Sequence, residues 1–130
     1  MISALCIALS AGTATLVLPT KTITLSWVHS VEQTPWEEDY TIEQNDLFLE
    51  EARIKRSGAG MDPPGEAIWR DGWWHYRPSI NSLREVLLAN SSFAGGYTVC
   101  WNSECHLLNT LLPAATPVRL FAADCDAKAN

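Results

Sequence analysis

The sequence predicts an all-β protein, an antiparallel β-sandwich or small barrel with at most one short helix. Three observations carry that expectation. Residues 21–31 and 36–44 alternate with a period of two, as half-buried strands do. Turn residues recur at short intervals between apolar runs, and no strand–helix–strand alternation is visible. Six tryptophans stand among the 130 residues, a composition suited to pleated, half-buried surfaces. They read either as a tryptophan-rich core or as the lining of a groove for a sugar, a peptide or an apolar ligand. Length and a hydrophobic content of 47% give a single domain, 1–130, with a real core, and exclude disorder.

Taken in order, residues 2–9 read as a strand, 10–13 as a turn and 14–18 as a second strand before Pro19. The alternative for the first run is a degenerate export signal without its positively charged start, and the run is too short to span a bilayer. The strand over 21–31 sends Ile23, Leu25, Trp27, His29 and Val31 to one face. After a polar connection over 32–35, the strand over 36–44 sends Trp36, Glu38, Tyr40 and Ile42 to one face. Asn45-Asp46 turns into a third strand over 47–56, whose alternation is weaker, and 57–65 is a loop by composition. Asp71-Gly72 is the dipeptide of a type I′ turn, so 67–70 and 73–76 form a hairpin. Residues 79–88 carry the one helical spacing, Ile80, Leu83, Val86 and Leu87, and read equally as a short helix or as a loop leading into a strand. A hairpin over 97–101 and 106–108 and a last strand over 118–122 bring the count to nine or ten short strands.

None of the four cysteines forms a Cys-x-x-Cys pair, which argues against structural zinc. Cys100 and Cys105 read as opposed strand ends across a four-residue hairpin loop, and Cys6 and Cys125 lie near termini that small domains bring together. Bridges Cys100–Cys105 and Cys6–Cys125 are the preferred pairing of three, with four reduced thiols as the alternative. Bridged, the chain belongs to an oxidising compartment, the bacterial periplasm or the cell exterior; the reduced reading leaves the cytoplasm open.

A net charge of −6 disfavours nucleic acid and anionic membrane surfaces as partners. Pairing the strands over 21–31 and 36–44 with Val31 opposite Trp36 places His29 opposite Glu38 on the apolar face. Each group then offsets the other's burial, as a register-fixing pair or as a binding or acid–base pair. Metal ligation with Glu32 or Asp62 matches no common ligand spacing. No Lys or Arg occurs from Thr22 to Ala52, while eight acidic residues do. Those acids read as a solvated face, a docking surface for a basic partner or a weak calcium site, with Arg53, Lys55 and Arg56 pairing some of them. The loop containing Ser57, Gly58, Gly60 and Met61 is a tight connection or an anion-binding nest. Pro63-Pro64 forbids the following helix that a phosphate-binding loop needs, and no Gly-x-Ser-x-Gly elbow supports a Ser57 hydrolase. His75 and His106 read as packing residues.

The combination of Trp27, His29, Ser30, Val31 and Glu32, then Trp36 and Glu38, then Gly58-Ala59-Gly60-Met61 with Pro63-Pro64, then Cys100 and Cys105, resembles the bacterial DUF1850 family across nearly the whole chain. The resemblance implies association with tripartite ATP-independent periplasmic (TRAP) transporters, since members are commonly encoded beside fused TRAP permeases and TAXI-type solute receptors. Some relatives carry an N-terminal membrane anchor; no transmembrane span is read here. The resemblance brings no enzymatic activity, catalytic residue, metal or cofactor with it. The expectation is a non-catalytic accessory protein that contacts the permease or solute receptor, or binds a small anionic ligand. His29, Ser30, Glu32, Glu38, Gly58, Gly60 and Met61 form its recognition surface. The alternative is a small hydrolase or metal-dependent enzyme using His29 and Glu38.

Overall fold

A computed structural model describes residues 4–28, 34–55, 66–79, 81–89, 96–113 and 117–126. Two antiparallel sheets face each other as a sandwich, and among the described residues each keeps two open edges, so no barrel closes. The smaller sheet contains β1 (Leu5–Ala11), β2 (Ala14–Val17), β9 (Glu85–Leu88) and β12 (Val118–Asp124), in the order β2-β1-β12-β9. The larger contains β3 (Thr22–Val28), β4 (Pro35–Glu43), β5 (Asp46–Ile54), β6 (Ile68–Arg70), β7 (Trp73–Tyr76), β8 (Ser82–Leu83), β10 (Thr98–Trp101) and β11 (Glu104–Leu107). Its order is β11-β10-β3-β4-β5-β7-β6, with β8 beside β5. The one helix among the described residues is the single turn α1 (Leu108–Leu111).

The core forms between inward positions two residues apart. Ile7 and Leu9 of β1, Val118 and Leu120 of β12 and Leu88 of β9 pack against Ile23, Leu25, Tyr40, Leu47, Leu49 and Val99 of the larger sheet. Each buried Val, Leu or Ile contributes about 1.5–3 kcal/mol relative to exposure, which is why the alternating pattern dominates the fold. A β-bulge interrupts β5: Asp39 lies opposite Glu51, but Tyr40 lies opposite Leu49. Glu50 is the extra residue, so Leu47, Leu49, Ala52 and Ile54 all face inward despite a spacing of two, three and two.

The structure settles several open points. Twelve strands occur among the described residues, rather than nine or ten. The region over 79–88 supplies strands β8 and β9 instead of a helix, because pairing to β5 and β12 satisfies its backbone and outweighs the helical spacing. The first run is strand β1, held between β2 and β12. The Asp71-Gly72 hairpin forms as expected, with φ of 56° and 86° at the turn. Both preferred disulfides are present, Cys6–Cys125 with Cα atoms 4.9 Å apart and Cys100–Cys105 with 4.1 Å. The loop at the second is two residues rather than four: Trp101 pairs with Glu104, leaving Asn102 and Ser103 in left-handed conformations. Among the described residues, no helix is long and apolar enough to cross a membrane.

Candidate functional site: an aromatic ladder above Glu38

The register of the larger sheet lines up its rings. Trp27 lies opposite Trp36, Trp36 opposite Ile54, Ile54 opposite Trp74 and Trp74 opposite Trp69. Tyr97, just before β10, joins the row through its ring, 5.2 Å from that of Trp27. Five rings and one isoleucine thus cross the inward face at one end of the sheet. Trp27 and Trp36 stack at 5.9 Å, and Trp69 meets Trp74 edge-on at 5.2 Å. Such cross-strand aromatic pairs each add a few tenths to about 1 kcal/mol and fix register.

That register differs from the one expected. Trp36 pairs with Trp27 rather than Val31, and Glu38 therefore lies opposite Leu25 rather than His29. The physical reason is the stacked indole pair, which buries more apolar surface than a valine opposite a tryptophan. His29, Ser30, Glu32, Gly58, Gly60 and Met61 lie outside the described residues. Their two connections leave from adjoining strand ends, since Val28 pairs with Pro35 and the Lys55 amide donates to the Pro35 carbonyl at 3.0 Å.

Glu38 sits one row behind the ladder, in the row Val99, Leu25, Glu38, Ala52 and Tyr76. The Tyr40 hydroxyl donates to its Oε1 at 2.9 Å. Burial pushes the Glu38 carboxyl up, and the Tyr40 hydrogen bond offsets only part of that. Tyr40, Tyr76 and Tyr97 are all raised, first by burial and then by the Glu38 charge. Among the described residues, Tyr40 is the one hydrogen-bond partner of this carboxylate, and no Lys, Arg or His pairs with it. The buried Nε1 of Trp36 likewise has no partner among them.

The opposite face of the same strands is polar, and there one guanidinium is shared by three carboxylates. Arg53 donates from Nε to Glu37 at 2.8 Å, from Nη1 to Asp39 at 2.6 Å and Glu51 at 2.8 Å, and from Nη2 to Asp39 at 2.8 Å. The hydrogen bond to Asp39 is the largest of the effects that raise the guanidinium's pKa. Burial pushes Asp39 and Glu51 up, but bonds and charge from Arg53, with Thr24 at Asp39 and His75 at Glu51, hold both below the usual carboxylate range. His75 Nδ1 lies 2.8 Å from Glu51 Oε1, and the His106 ring packs 5.0 Å from that of Trp101, so neither histidine is presented as a ligand. Two concavities open beside this face. One, of about 400 Å³, is lined by Thr22, Thr24, Asp39 and the Asn102-Ser103 turn; the other, of about 340 Å³, by Ser26, Val28, Pro35, Glu37, Trp73 and Thr98. No group of three or more His, Cys, Asp or Glu among the described residues could hold a metal ion.

A family described as a domain of unknown function (DUF1850) matches residues 23–108, well over half of the chain. The chain belongs to that family. The DUF1850 match contains Glu38, the Arg53 cluster and the whole aromatic ladder, while β1, β2 and β12 of the smaller sheet fall outside it. No curated protein and no solved structure matches the chain.

Sequence alternation had already put Trp36, Glu38 and Tyr40 on one face. Tyr76, Tyr97 and Trp74 were not identifiable, because they reach the site only through pairings with distant segments.

Proposed function

We propose that this DUF1850 protein is a non-catalytic accessory component of a TRAP transport system of the TAXI type, acting in the periplasm as a rigid docking module for the permease or the solute receptor. The family resemblance supplies the transporter, and two disulfides fit an oxidising compartment. The observation that carries a recognition role is the ladder of rings with an acid behind it that has no cationic partner among the described residues, set on paired strands. Glu38 and the connections carrying His29, Ser30, Glu32, Gly58, Gly60 and Met61 are the proposed contact region.

Co-expression of the tagged protein with the permease and the solute receptor, followed by affinity purification from solubilised membranes and from periplasmic extract, tests this reading. One of the two components is expected to co-elute in stoichiometric amount. Elution of the tagged protein alone from both fractions overturns it.

A further inference from the structure

Glu38 is a half-buried carboxylate with no cation paired to it among the described residues, and such a charge is costly because it loses water without gaining a counter-charge. Among the described residues, the groups facing Glu38 are Leu25 from β3, Trp36 and Tyr40 from β4, Ala52 from β5, Tyr76 from β7 and Tyr97 before β10. Not one of these is positively charged. The nearest arginine in register among the described residues, Arg53, belongs to the other face of the sheet and is engaged there by three carboxylates. Glu38, Trp27, Trp36, Tyr76 and Tyr97 are only partly buried, so the region remains reachable from solvent.

We propose that Glu38, held by the Tyr40 hydroxyl, forms with the partly exposed rings of Trp27, Trp36 and Tyr97 a binding site for an organic cation, an alkylammonium or guanidinium group. The negative faces of aromatic rings attract such cations, and a carboxylate among them supplies the counter-charge. Inorganic cations fit poorly: calcium takes six to eight oxygen ligands, and one carboxylate and a phenol do not approach that number. Anions are repelled by Glu38. A neutral sugar could stack on the rings but would leave the carboxylate charge uncompensated. This inference does not depend on the transporter reading, because it concerns the chemistry of the occupant and not its source.

Calorimetric titration of the intact, oxidised protein with choline, n-butylammonium and a lysine-bearing peptide tests it, with sodium chloride matching the ionic strength. At least one of the three is expected to bind saturably and to perturb tryptophan fluorescence. Glu38→Gln keeps an acceptor for Tyr40 and removes the buried charge, so it folds at least as well as the wild type at neutral pH. It is expected to weaken binding roughly tenfold or more, and Trp27→Leu to weaken it also while Trp27→Phe restores part of the affinity. Affinity rises with pH as the Glu38 carboxyl, raised by burial, loses its proton. Binding of the peptide alone assigns the cation to a partner's side chain, whereas binding of choline or butylammonium assigns it to a small solute. No saturable binding by any probe, or equal binding by Glu38→Gln, overturns the proposal. Neither result depends on whether a transporter component co-elutes.

Discussion

Arg53 and Glu38 occupy the two faces of one sheet and are resolved in opposite ways. Arg53 is two strands from the sheet's edge, only 15% exposed, and takes Glu37, Asp39 and Glu51 to itself. Removing it with Arg53→Met leaves three carboxylates crowded together without their shared guanidinium, with Arg70 3.9 Å from Glu51 alone. The three acids keep about a third of their surface in water, so the loss is less than for a fully buried pair, about 2–3 kcal/mol. The sign with pH follows from Asp39 and Glu51. Both are held below their ordinary values, so their contribution is fully present above the unfolded carboxylate range and is lost as pH falls through their lowered folded values. Urea denaturation of the two proteins across acid to neutral pH should show a gap at neutrality that narrows on acidification. A gap independent of pH would contradict this account.

At the scale of elements, short turns and one bulge decide where strands meet. Gly72 has a φ of 86° in the two-residue turn between β6 and β7, where a Cβ is disfavoured whatever the space around it. A Cβ there would meet only the Lys55 ammonium, at 3.4 Å, so backbone strain and not a clash sets the cost. Gly72→Ala should lower stability by about 1 kcal/mol and leave the β5–β7 pairing intact, measured by denaturation and by amide exchange of Trp74 and Tyr76. Such local chemistry is legible in sequence: Asp71-Gly72 announced its turn, and strict alternation announced β3 and β4. Alternation in β5 looked weak because the bulge at Glu50 shifts the phase between Leu49 and Ala52. The expected β3–β4 register failed by a similar route. A one-dimensional pattern says which face a residue takes, but the slide of one strand along its neighbour is set by ring stacking between Trp27 and Trp36, an energy that exists only once the strands meet. Alternation thus places Glu38 on the correct face but opposite the wrong neighbour.

Across the whole molecule, the two sheets are secured unequally. The larger sheet contains most of the family match and both faces of the candidate site, whereas the smaller sheet draws β1 and β12 from opposite ends of the chain. These two strands pair over six positions, from Leu5 with Asp124 to Ser10 with Arg119, and the Cys6–Cys125 bridge locks their outer end. A cross-link between residues 119 apart in sequence removes far more freedom from the unfolded chain than one between residues 5 apart. Chain-entropy reasoning gives about 4–5 kcal/mol for the first and about 2 kcal/mol for the second. Because each kcal/mol moves the melting point of a domain this size by about 4 °C, replacing Cys6 and Cys125 together by serine should lower it by about 15–20 °C. Replacing Cys100 and Cys105 should lower it by less than half as much, since the two-residue turn already holds those strand ends together. Calorimetry of the two double variants and the wild type, under non-oxidising and oxidising conditions, separates the contributions. If loss of the short-range bridge proved the more damaging, the smaller sheet would owe its stability to strand pairing and core burial, and the chain ends would need no covalent tie.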